Sequence, residues 1–161
     1  MAFKVRKLDY RPWPVSVKFR ECNEATGEVT EAPQVFIGHF LPFSEADIKR
    51  QRLEIFGDEL DAGYKASLAT MPSAEYAEKE TQFFAGLMSG WSEVRDESGA
   101  EMPYSAAALR ELTTGPDGPV VRRALNDAVV EIRFGLAPAK NSGASPAPGP
   151  SPAAVEAAPA N

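Results

Sequence analysis

One cysteine, one histidine, no long apolar run and a shortage of positive charge are the absences that bound this chain. A lone Cys22 cannot close an internal disulfide, so the fold does not call for an oxidising compartment, and the cytoplasm is the expected location. One Cys and one His cannot complete a tetrahedral zinc site without unusual carboxylate help, so no metal is expected. No stretch approaches the roughly 18 apolar residues that span a bilayer. The opening MAFKVRKLDY has no continuous apolar segment of the kind a secretion signal uses, and no membrane partner is expected. The net charge of −6, with a pI near 4.9, disfavours nucleic acid and anionic lipid, both of which need clustered Lys and Arg. Phosphate-cradling glycine motifs are missing too: TGPDGP, from Thr114, carries prolines that delete the N–H donors such a cradle needs, so no nucleotide or other cofactor is expected.

What is present suits one modest domain, with 43% hydrophobic residues in a chain of 161. The last twenty residues, SGASPAPGPSPAAVEAAPAN, hold seven Ala and five Pro and cannot bury enough area to offset ordering entropy. A folded domain over 1–141 and a disordered Ala/Pro-rich segment over 142–161 are the expectation. Setting that segment aside leaves 17 basic against 22 acidic residues, still net −5.

In PVSVKFRE, Val15, Val17 and Phe19 alternate with polar residues at the period of a half-buried strand. QVFIGHF is β-branched and aromatic, and Thr26-Gly27 supplies a reversal between the two, so a β-hairpin over about 14–40 is predicted, with Gly38 as a candidate bulge. Helical patterns follow over about 44–135. PFSEADI and PYSAAAL share one capping solution, with Ser44 and Ser105 as N-caps and Phe43 and Tyr104 stapling onto Ile48 and Leu109. The Ser44 helix carries Ile48, Leu53, Ile55, Phe56 and Leu60, and is expected to bend or break at Gly57 or Gly63, each weakening it by about 1 kcal/mol relative to Ala. From Ser73, the residues Tyr76, Phe83, Phe84, Leu87, Met88 and Trp91 form one stripe ending at Trp91. A last helix starts with Asp117 or Gly118 as cap and Pro119 in its first turn, buries Val121, Leu125, Ala128, Val129 and Ile132, and stops at Gly135. The fold class read from this order is α+β, mostly helical: an N-terminal hairpin followed by three or four helices.

The polar loop GWSEVRDESGAEMPYS is bracketed by Trp91 and Tyr104. Its carboxylates Glu93, Asp96, Glu97 and Glu101 are the candidates if it is catalytic; if structural, the rings fix the angle between two helices. The loop lacks the ligand spacing that wraps calcium, so a solvated turn is expected. His39 lies in the second strand with no elbow or glycine-rich signature, and a triad would have to be gathered from distant residues such as Ser16 or Cys22. A structural histidine is expected, a small hydrolase using His39 being the enzymatic alternative. Phe83, Phe84, Met88 and Trp91 face either the core or a protein partner. Arg122 and Arg123, misplaced for the helix dipole, either meet an acidic partner or lie on a solvated face.

The element order, the stretch FFAGLMSGWSEVRDESGAEMPYSAAALREL and the close GLAPAKN resemble the tail assembly chaperones of long-tailed bacteriophages and prophages. The residues that carry the resemblance are Phe84, Gly90-Trp91 with Val94, the turn Asp96 to Gly99, Pro103-Tyr104-Ser105, Leu109, Leu112 and Lys140-Asn141, within a match over about Trp13 to Asn141. The resemblance implies a non-enzymatic factor that coats the hydrophobic tape measure protein while tail tube subunits polymerise, acts in the bacterial host cytoplasm and is absent from the finished particle. It also implies, as further partners, the tail tube protein, a longer frameshifted form of the chain itself, and a homo-oligomer. A structural tail or neck component retained in the particle is the alternative within the same setting.

Overall fold

The computed structural model describes residues 2, 7–57 and 73–137. Two long strands, β1 (Arg11–Cys22) and β2 (Val29–Phe40), pair antiparallel from Arg11 opposite Phe40 to Cys22 opposite Val29. The predicted hairpin is therefore present and starts three residues earlier than its alternation suggests. Its reversal is held by the Asn23 carboxamide oxygen, which accepts from the backbone N–H groups of Ala25 and Thr26, while Gly27 takes a φ of +71°.

Helix α1 (Glu45–Phe56) begins at Ser44, whose hydroxyl accepts from the N–H of Asp47 while the Asp47 carboxylate accepts from the N–H of Ser44, a complete capping box. It ends at Gly57, with φ +84°; Leu60 and Gly63 lie outside the described residues. Helix α2 (Ser73–Leu87) follows, then β3 (Met88–Ser92), α3 (Ala106–Thr114) and α4 (Gly118–Phe134). Ser105 caps α3 by accepting from the N–H of Ala108, and Phe43 and Tyr104 pack against the core containing Ile48 and Leu109. Asp117 is the N-cap residue of α4 but makes no side-chain cap bond, and Gly135 ends that helix in the left-handed conformation.

The third strand corrects the sequence reading. Leu87, Met88 and Trp91 continue the helical stripe on paper, yet the chain leaves the helix after Leu87 and pairs antiparallel with β2, Trp91 opposite Gly38 and Gly90 opposite His39. The outer edge of β2 offers these residues a ladder, and Ser89-Gly90 is poor helix material. The irregularity expected at Gly38 falls between His39 and Phe40. Gly38 itself is small of necessity, because a Cβ there would sit 2.8 Å from the Phe40 ring.

The result is a mixed α+β fold, a three-stranded antiparallel sheet ordered β1-β2-β3 with four helices among the described residues. Val15, Val17, Phe36, Phe40, Met88 and Trp91 from the sheet share one core with Ile48, Phe83, Phe84, Leu87, Leu109, Leu125 and Val129. Helix α4 lies against β1, while α3 packs on both α2 and α4.

Candidate partner-binding surface

The loop 93–103 is a structural fixture. Trp91 sits in β3, where its Nε1 donates to the Met102 carbonyl at 2.7 Å and its ring meets Tyr104 edge-on, centroids 4.9 Å apart. The Tyr104 hydroxyl donates to the Met88 carbonyl, and Met102 N–H donates to Val94 O. The rings thus fix a strand and its outgoing loop rather than the angle between two helices. Glu93, Asp96, Glu97 and Glu101 are exposed. Asp96 is consumed by the turn: its carboxylate accepts from the Ser98 hydroxyl and from the N–H groups of Ser98 and Ala100, and these bonds, the Ser98 hydroxyl first, hold its pKa below the usual carboxylate range. Among the described residues no three His, Cys, Asp or Glu side chains gather as a metal site.

Of the six residues with an expected partner role, the structure exposes only Arg123. Phe83, Phe84, Met88 and Trp91 are 2%, 0%, 3% and 8% exposed, which puts them in the core and off any surface a partner could reach. A stripe at helical spacing faces whichever side the fold covers, and here the sheet covers it. Arg122 does face an acid, but an internal one. Its Nε donates to Glu80 at 2.7 Å, and its terminal N–H donates to the Thr113 carbonyl. Glu80 also accepts from Asn126 and Tyr76, and the pair is only 13% and 11% exposed. Beside it the hydroxyls of Thr81 and Thr113 are 2.6 Å apart. Nothing local in the sequence signals this knot, since Glu80 and Arg122 are 42 residues apart.

His39 occupies the sheet face opposite the core. Its ring stacks on Tyr10 at 4.5 Å, and its Nε2 lies 3.5 Å from the Ser92 hydroxyl, a neighbour that strand β3 supplies from 53 residues away. Gly90 makes room for the ring, as a Cβ there would come within 3.2 Å of Nδ1. Among the described residues no carboxylate hydrogen-bonds the imidazole.

Around His39 the outer sheet face is apolar and uncovered by any described helix. Strand alternation places Pro12, Pro14, Val35 and Ile37 there, with Tyr10 beside them. Tyr10 and Val35 are 42% and 40% exposed, whereas Val15, on the other side of the same sheet, is fully buried. Lys18 and Arg20 rim one end of this patch. An apolar face with a charged rim suits contact with another polypeptide. Comparison with protein-family models, with curated proteins and with solved structures finds no match for this chain.

Proposed function

We propose that the chain is a non-enzymatic tail assembly chaperone that binds and solubilises the tape measure protein of a long-tailed phage while the tail tube forms. The observation that carries the reading is the uncovered sheet face, where Tyr10, Pro12, Pro14, Val35 and Ile37 lie on the side away from the core. A helical filament with a long apolar stripe needs a cover that recognises hydrophobicity without selecting one sequence, and a flat apolar sheet face meets that need better than a deep pocket. The net charge of −6 favours solubility of the resulting complex. The resemblance in element order and in the Gly90 to Ser105 loop supplies the biological setting. In this reading a mostly helical body over 1–141 works in the bacterial host cytoplasm, and the chain is missing from the mature virion.

Co-expression with the tape measure protein from the same genome is the test. Soluble yield of that protein rises with the native chain and falls back to baseline with Val35→Lys and Tyr10→Ala, two exposed changes that leave melting behaviour nearly intact. A tape measure protein that stays insoluble and fails to co-purify with the native chain overturns the proposal. Mass spectrometry of purified particles addresses the other half: absence of the chain fits a chaperone, while stoichiometric presence makes it a structural component.

A further inference from the structure

We infer that the pocket between α1 and the C-terminal end of α4 binds a small phosphate dianion, free or as a phosphomonoester, with Arg52 and Lys49 as the cations that hold it. This site is independent of the chaperone reading. Its basis is a local excess of positive charge on a chain of net charge −6. The pocket has a volume of about 400 Å³, within the range of small-ligand sites. Glu45, Ala46, Ile48, Lys49 and Arg52 of α1 line it together with Arg133 of α4. Glu45, Ile48, Lys49 and Arg52 stand at i, i+3, i+4 and i+7, so a single face of α1 supplies all four side chains.

Three cations against one anion leave this lining at +2. Glu45 is already engaged, because its two oxygens accept from Arg133 at 2.9 and 2.6 Å. That pair forms a neutral wall, and the excess belongs to Lys49 and Arg52. Asp47, the other acid in the first turn of α1, is tied to Arg50 at 2.8 Å and to the Ser44 cap. Among the described residues no carboxylate forms an ion pair with Lys49 or Arg52. The larger groove between β1 and α4, about 700 Å³, has no such excess, since three Lys or Arg residues there face four Asp or Glu.

The setting of Arg52 identifies the ligand class. Its guanidinium carbon lies 4.9 Å from the centroid of the Phe83 ring, a side chain locked in the core at 2% exposure. A guanidinium stacked on a ring spends its face and keeps its in-plane N–H donors. The Arg52 Nε is closed to solvent and has no hydrogen-bond partner, which costs free energy until an acceptor arrives. The acceptors that match a planar guanidinium fork are the paired oxygens of a phosphate or a carboxylate. Lys49, three residues earlier on the same face, adds a second point charge. A carboxylate would answer only one of these two charges, whereas a phosphomonoester carries about −1.5 to −2 at neutral pH. Ala46 and Ile48 offer apolar contact for an ester group.

Titration of the full-length protein with inorganic phosphate, phenyl phosphate and acetate at constant ionic strength and neutral pH, followed by ¹H–¹⁵N NMR, tests this. Phosphate should give saturable shifts at the Arg52 Nε–H and at the backbone amides of Ala46 and Lys49, with acetate binding more weakly. Tighter binding of phenyl phosphate than of inorganic phosphate supports an ester as ligand, and the reverse order supports the free ion. Affinity for phosphate should fall about tenfold in Arg52→Gln and about threefold in Lys49→Gln, where the lost cation is exposed. Arg123→Gln removes the same charge about 15 Å along α4 from Arg133 and should bind as the native chain does. Thermal melts confirm that each variant is folded, and Lys49→Gln decides alone if Arg52→Gln is not. Shifts that never saturate, acetate binding as tightly as phosphate, or equal weakening by Arg123→Gln and Lys49→Gln would each overturn the site.

Discussion

Arg122, Asn126 and Tyr76 all donate to the Glu80 carboxylate, which α2 holds against α4 with little solvent. Truncating one partner of such a pair strands the other charge in the interior. Arg122→Ala is expected to cost about 3–5 kcal/mol, measured by urea denaturation, and Glu80→Gln in the same chain should restore part of the loss. Exposed acids act differently. Glu45 is held below its ordinary pKa by hydrogen bonds from Arg133, and Glu78 by those from Arg110, ties that join α1 to α4 and α2 to α3. A lowered folded-state pKa gives stability that is fully present above the ordinary carboxylate range and lost as pH falls through and below it. Melting temperature should therefore drop on acidification, and Glu45→Gln with Glu78→Gln should flatten that drop when melting is followed by circular dichroism.

The connection between α3 and α4 is tightly constrained at Gly118. A Cβ on Gly118 would lie 2.3 Å from the Thr113 carbonyl oxygen, which is backbone and cannot swing aside. Gly118→Ala is expected to destabilise by about 1–3 kcal/mol in a thermal melt, although alanine is the better helix former. Elements whose signals are local were readable in the sequence: the Ser44 and Ser105 caps, the Gly135 stop, the alternation of Val15 and Val17, and the buried face of α4. Strand β3 was not, because Leu87, Met88 and Trp91 satisfy a helical period as well, and the deciding factor is the free edge of β2 some fifty residues earlier. The surface suffered from the same limit. Phe83, Phe84, Met88 and Trp91 have the chemistry of a docking stripe, but which side of a stripe meets solvent depends on what else packs there. The apolar sheet face and the Ser92 neighbour of His39 likewise exist only once three strands are side by side.

For the molecule as a whole, the sheet and the helices share one core, with Phe84 fully buried among them. Phe84→Ala should remove about 3–5 kcal/mol, a large share of the roughly 5–15 kcal/mol that holds an ordinary domain together. Cooperativity can be read with the chain's own fluorophores. Trp13 reports the contact of β1 with α4, and Trp91 reports β3 and its loop. Single-tryptophan variants Trp13→Phe and Trp91→Phe, each followed by the remaining fluorophore, are expected to show coincident urea transitions once each variant's own stability is subtracted. Two separated transitions would divide the fold into independent halves.

The clasp of Trp91 with Met102 and Tyr104 also has a practical side. Because the strand end and the start of the next helix are pinned to each other beneath it, the bend at Ser98-Gly99 is a place where foreign sequence can be spliced without prying the body apart. An epitope or fluorescent reporter inserted there would project on a closed stem, leaving the outer sheet face unencumbered.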